Sequence, residues 1–232
     1  MYLLMFGALA QNTQETELPV EETSLSIMDL LLSGGTGAIV IISILFVLLF
    51  VAVYIYFERI FAIKAASKYD EGFMDKIRES VVSGKIESAK ILCAQTNNPI
   101  ARLTEKGLSR IGHSLEDINK AIENAGRLEV YKLEKNVSIL ATVAGAAPMI
   151  GFLGTVIGMI LAFHNLASSS GTADMGVLAE GIYTAMTTTV GGLVVGIIAY
   201  IGYNHLVVRT DKVIHSMEAN TADFLDLLNE PA

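Results

Sequence analysis

Three stretches of this chain contain no Asp, Glu, Lys or Arg: 30–57, 136–173 and 181–208, of 28, 38 and 28 residues. A helix needs about 20 apolar residues to cross a hydrocarbon core of roughly 30 Å, so each stretch is long enough to span. With 52% hydrophobic against 17% charged residues and a mean hydropathy of +0.52, the whole chain points to lipid. The expected class is all-α: an integral membrane protein with three transmembrane helices and long cytoplasmic helical extensions.

The spans differ in character. The first, 36–57, is apolar on every side and ends in Tyr54, Tyr56 and Phe57, an aromatic belt at an interface. The second, 138–167, and the third, 181–208, are rich in Gly, Ala and Thr. Small residues bury little area, so they are poor choices for helices that meet only lipid.

All sixteen lysines and arginines lie within 58–140 or after position 208. By the positive-inside rule, the N-terminal segment 1–35 is outside, 58–137 is a cytoplasmic helical domain, 168–180 is an outside loop and 209–232 is a cytoplasmic tail. The net charge of −8 sits mostly in the outside segments, and no basic patch interleaved with aromatics is present, so nucleic acid is not an expected partner.

At the start of the chain, Ala8-Leu9-Ala10 has the small-x-small form of a cleavage site without a preceding basic segment, which leaves processing of residues 1–10 open. Residues 24–35 place Leu25, Met28, Leu31 and Leu32 on one helical face, suited to a short amphipathic helix at the boundary or to an irregular lead-in. In the cytoplasmic segment, Ser83-Gly84 and Asn97-Asn98-Pro99 mark breaks. Beyond them a second long helical stretch begins at Ile100, and the absence of proline from Leu115 to Pro148 predicts one helix running on into span two. Cys93, the only cysteine, reads as a small core residue in a reducing compartment.

No catalytic constellation is present. GFLGTVIGM, 151–159, lacks the Lys-Ser/Thr of a phosphate-binding loop and the preceding strand of a dinucleotide turn. His113, His164, His205 and His215 are too scattered for a metal site. Neither an enzyme nor a metal or organic cofactor is expected.

A narrow ridge runs along span two through Ala147, Gly151, Gly154 and Gly158, with Pro148 as a kink beside it. Span three has a matching row, Thr184, Thr188, Gly192 and Gly196. Such ridges let another backbone come close, whether in an ordinary two-helix interface inside one subunit or between subunits. At about 1.5 Å per residue, Thr155 lies roughly 18 Å below Ala167 and Thr189 roughly 13 Å below Glu180, which puts both hydroxyls near mid-membrane in antiparallel neighbours. Several subunits around an axis would make a polar ring there, and Thr155, Thr189, Thr184 and Thr188 are the candidate lining residues.

LEKNVSILATVAGAAPMIGFLGTVIGMILAF, 133–163, is similar to the pattern LATIAxxAPLLGLLGTVxGMIxAF, and GIYTAMTTTVGGLVVGIIAYIGYN, 181–204, to GIxEALxTTAxGLxVAIPAxxxYN. Together with Glu58-Arg59 at the inner end of span one, these motifs resemble the MotA/TolQ/ExbB proton-channel family, its ExbB branch in particular. The resemblance implies a ring-forming homo-oligomer, a pentamer, in the bacterial inner membrane, enclosing an ExbD-like single-span partner. Protons are the coupling ion, and a TonB-like protein carries the work to the outer membrane. It also implies that Thr155 and Thr189 line the pore near the partner's proton-accepting aspartate. The chain departs from the pattern at Thr184, where the family has glutamate, and Glu180 lies one turn further out. TolQ-like proteins share the pattern and differ in partners. A flagellar stator subunit normally adds a fourth span, and a structural scaffold would use the glycine ridges without ion flow.

Overall fold

The computed structural model describes residues 35–68, 72–168 and 175–229. Residues 24–34 of the expected N-terminal amphipathic helix and 169–174 of the expected 168–180 loop lie outside those residues, while 175–180 are helical. Seven helices make up the described structure, with no strand among them: α1 (Gly35–Ala66), α2 (Phe73–Val82), α3 (Ile86–Gln95), α4 (Pro99–Leu108), α5 (Leu115–Glu134), α6 (Val137–Ser168) and α7 (Met175–Asn229). Three helical stretches are long and apolar enough to cross a membrane.

In the spanning part, α6 and α7 are antiparallel and share the most extensive contact in the molecule, with α1 packed across both. The inward residues of α6 are Val137, Leu140, Val143, Ala147, Gly151, Gly154 and Ala162, recurring at the three- and four-residue steps that share one helical face. The outward positions are large and apolar, including Phe50 on α1, Phe152 on α6 and Ile201 on α7, each more than 60% exposed. In water such a surface would be a liability. In a bilayer it is the solvent-facing side.

The charged half of the molecule is a helical domain in which α2 to α5 gather around the ends of α1 and α7. Its core includes Phe73, Ile77, Cys93, Leu108, Ile122, Met217 and Phe224, all nearly inaccessible. Two helix starts follow from local chemistry. Asn98 caps α4 by accepting a hydrogen bond from the Ala101 amide at 2.6 Å, with Pro99 at the first helical position, and Ser114 caps α5 by accepting from the Asp117 amide at 3.2 Å. Buried Glu129 joins α4 to α5, accepting from Arg102 at 2.6 Å and Lys132 at 2.7 Å. Burial raises its carboxyl, but those two cationic donors outweigh it and hold the group below its ordinary range. Burial, with Glu105 adding to it, pushes the Cys93 thiol up to about 12.

Two expectations about continuity are corrected. The stretch beginning at Ile100 is interrupted after Leu108 by a turn containing Gly112 at φ 100°, and the helix from Leu115 does not run on into span two. It stops at Lys135-Asn136, where Asn136 takes φ 64°, a left-handed conformation that asparagine adopts more readily than most residues. Proline is not the only helix breaker, and here a single asparagine sets the joint. On α7 the helix continues from the third span through the expected tail to Asn229.

Candidate functional site

The seam between α6 and α7 is built from what its residues lack. A methyl group added at Gly151 would stand 2.7 Å from the Thr188 carbonyl oxygen and 3.0 Å from the Gly192 Cα, and one at Gly192 would stand 2.6 Å from the Ala147 carbonyl oxygen. Gly158 fits against Ala185, and Gly196 against the Pro148 ring. Gly154 sits against the Thr188 side chain and Ile41 of α1. The ridge of Ala147, Gly151, Gly154 and Gly158 and the row with Gly192 and Gly196 therefore meet each other inside one subunit. Pro148 lies within α6, which continues through it.

This close approach brings hydroxyls of one helix to carbonyls of the other. Thr189 Oγ1 is 3.1 Å from the Gly151 carbonyl and lies in hydrogen-bond contact with that of Thr155. Thr155 is also 3.3 Å from the Ala185 carbonyl. Each hydroxyl carries one proton and faces a carbonyl, so the pair forms a short chain in either sense: Thr155 to Thr189 to the Gly151 carbonyl, or Thr189 to Thr155 to the Ala185 carbonyl. Both residues are half-buried, on a face without formal charge.

Thr184 and Thr188 are placed differently from the other two within the subunit. Thr188 is 1% exposed within a single subunit and donates to the Ala185 carbonyl at 2.7 Å, with the Gly151 carbonyl at 3.2 Å. Thr184 is 8% exposed. Both border a cleft of about 280 Å³ between α1, α6 and α7 that also takes in Asn165 and Glu180. The physical reason is angular: consecutive helix positions are about 100° apart, so Thr188 and Thr189 cannot face one axis together.

Glu58 and Arg59 occupy the base of the first span. Arg59, 7% exposed, donates from Nε to Glu58 at 3.0 Å and from Nη1 to the Lys132 carbonyl at 3.0 Å. Lys132 lies in the last turn of α5, whose carbonyls have no intrahelical partner, so Arg59 ties α1 to that helix end. The Arg59 contact to α5 and the Glu129 clamp were not foreseen from the sequence. A basic residue next to a span end and an acidic residue on a helix's apolar face were the available signals. Among the described residues, no group of His, Cys, Asp and Glu could hold a metal ion.

A family model described as the MotA/TolQ/ExbB proton channel family matches residues 95–219. A putative biopolymer transport protein ExbB homolog of Methanothermobacter thermautotrophicus is 32% identical over 143 residues, covering 61% of this chain and 50% of that protein. The chain thus spans half the length of that relative. A Tol-Pal system protein TolQ of Haemophilus influenzae is 29% identical over 214 residues, with 87% and 91% of the two chains covered. A second Tol-Pal system protein TolQ, of Pseudomonas aeruginosa, is 31% identical over 174 residues, covering 68% of this chain and 73% of that one.

Proposed function

The chain belongs to the MotA/TolQ/ExbB proton channel family, and from that premise we propose that it is the ring-forming subunit of a proton-driven inner-membrane motor with an ExbB-like role. Five copies enclose the single spans of an ExbD-like partner, with the charged half in the cytoplasm. Movement of that partner is passed to a TonB-like protein. The segregation of every lysine and arginine to one side of the spans supports this orientation.

The observation that carries the reading is the Thr155–Thr189 pair. Two hydroxyls joined across neighbouring helices, half-buried on an otherwise apolar face, can pass a proton or hold a water without bearing charge themselves. A carboxylate at mid-bilayer costs roughly 2.5–3.5 kcal/mol on the insertion scale, and neither small-residue span of this chain carries one. With Thr184 where the family pattern has glutamate, the titrating group falls to the partner, and this subunit supplies hydroxyls and a close-fitting wall. One elementary charge crossing 100 mV releases about 2.3 kcal/mol, enough to bias a two-state movement by one to two orders of magnitude.

Thr155→Val and Thr189→Val, each nearly isosteric, test the reading. In vesicles holding this chain and its partner, both variants are expected to assemble normally while proton flux and coupled transport fall to background. Unchanged flux in both would remove the pore assignment. A TolQ-like role is the second reading, because relatives bearing both names match the chain. Expression in a host lacking both systems separates them: restored iron-chelate uptake supports the ExbB-like role, and restored detergent resistance the TolQ-like one.

A further inference from the structure

Near the base of the spans, α1 and α7 border a cleft of about 530 Å³ that takes no part in the Thr155–Thr189 seam. Lys64 of α1 and Arg209 and Lys212 of α7 converge on it, and among the described residues no carboxylate lines it. Buried Ile63 and Val213 form apolar wall. Elsewhere in the charged half, several cations are held by carboxylates: Arg102 and Lys132 hold Glu129, Arg127 holds Glu123 and Lys90 holds Glu87. Among the described residues, none of the three cleft cations is paired with a carboxylate, and the side-chain contact of Arg209 is donation from Nε to His205 Nε2 at 3.4 Å. Three like charges facing one space without an internal counter-charge make an anion site.

A second, apolar groove of about 220 Å³ lies on the membrane side of this cleft, between the same two helices. It is lined by residues including Val53, Phe57, Ile198 and Ile201, and it meets the basic cleft at His205, which borders both. At the junction, Tyr56 Oη and His205 Nδ1 are 2.7 Å apart. Because Arg209 donates to Nε2, the Nδ1 proton is free to be donated to Tyr56, which fixes the ring between the two compartments.

The depth of the junction decides what kind of anion fits. Arg209 directly follows the third uncharged stretch, and Lys64 stands seven residues past Phe57, about 10 Å along α1. A headgroup layer extends roughly 5–7 Å beyond the hydrocarbon core, within reach of long basic side chains that lean back toward it. We propose that this composite cleft binds an anionic glycerophospholipid of the leaflet on the basic side. Its phosphate diester sits among Lys64, Arg209 and Lys212, and one acyl chain lies along the groove between α1 and α7. A free phosphate would have no use for the groove.

The test is native mass spectrometry of the full chain in detergent, offered phosphatidylglycerol and phosphatidylcholine with the same long acyl chains. The wild type is expected to retain phosphatidylglycerol in preference. Each of Lys64→Gln, Arg209→Gln and Lys212→Gln should lower that preference about fivefold, and the triple variant by on the order of 100-fold. Neutralising Lys85, Lys106 and Lys120 together, all outside the cleft, should leave it unchanged. If the triple variant loses helix content, the single changes at exposed Lys64 and Lys212 carry the test. The proposal is overturned if the wild type shows no preference, if the cleft variants keep it, or if the control variant loses it equally. Displacement by inorganic phosphate or by short-chain phosphatidylglycerol as effective as by the long-chain lipid would also overturn it, by assigning the site to the phosphate alone.

Discussion

At Gly151 the nearest atoms to an added methyl are backbone, and backbone cannot step aside without moving a helix. Gly151→Ala should therefore force α6 and α7 apart and cost about 1–3 kcal/mol, the usual range for overpacking a tight site. Gly145→Ala, on the same helix with nothing within 4 Å, should instead gain about 0.5–1 kcal/mol from helix propensity. Thermal unfolding in detergent would show opposite shifts, and equal shifts would mean that the seam is looser than described. The ridge was readable in the sequence because small residues at a four-residue step announce a close backbone. Whose backbone it is was not, since a helix from the same subunit and one from a neighbour ask the same of a glycine. Thr155 and Thr189 could be paired by depth alone, whereas the inward turn of Thr184 and Thr188 needed the angle as well as the height.

Among the elements, the junction of α5 and α6 depends on one backbone conformation. Asn136→Gly should be tolerated, while Asn136→Val, placing a β-branched residue at φ 64°, should cost about 1–2 kcal/mol and lower the melting temperature. The α4–α5 pairing should respond to acid through Glu129. Its carboxyl is held below the ordinary value of 4.5, so the stabilisation is complete above that value and is lost as pH falls through the lower folded one. Glu129→Gln should flatten this acid limb in helix content measured against pH. At neutral pH it should cost about 1.5–3 kcal/mol, in the range for hydrogen bonds to a charged group. The breaks at Ser83-Gly84 and Asn97-Asn98-Pro99 were legible from local turn chemistry, whereas the capping roles of Asn98 and Ser114 emerged only in the structure. The stops at Gly112 and Asn136 were not legible, because both lie in sequence that also suits a helix and only the positive φ identifies them.

For the molecule as a whole, the division into an uncharged bundle and a charged domain was the most legible feature, since burying an unpaired charge in lipid is too costly to leave ambiguous. Cys93 can report whether the two parts come undone together. Its thiol, buried and pushed up to about 12, should resist a maleimide at neutral pH until the charged domain opens. Labelling and loss of total helix signal along a denaturant series should separate if that domain opens first, and coincide if the bundle and domain unfold as one unit. The geometry of α7 has a mechanical corollary. It is an uninterrupted strut about 80 Å long beside a companion that is articulated at Asn136, and its far end fits Phe224 against Gly107. If the strut pivots between its ends, a displacement imposed at one extremity reappears in the opposite direction at the other, and the neighbour jointed at Asn136 can bend to absorb the difference.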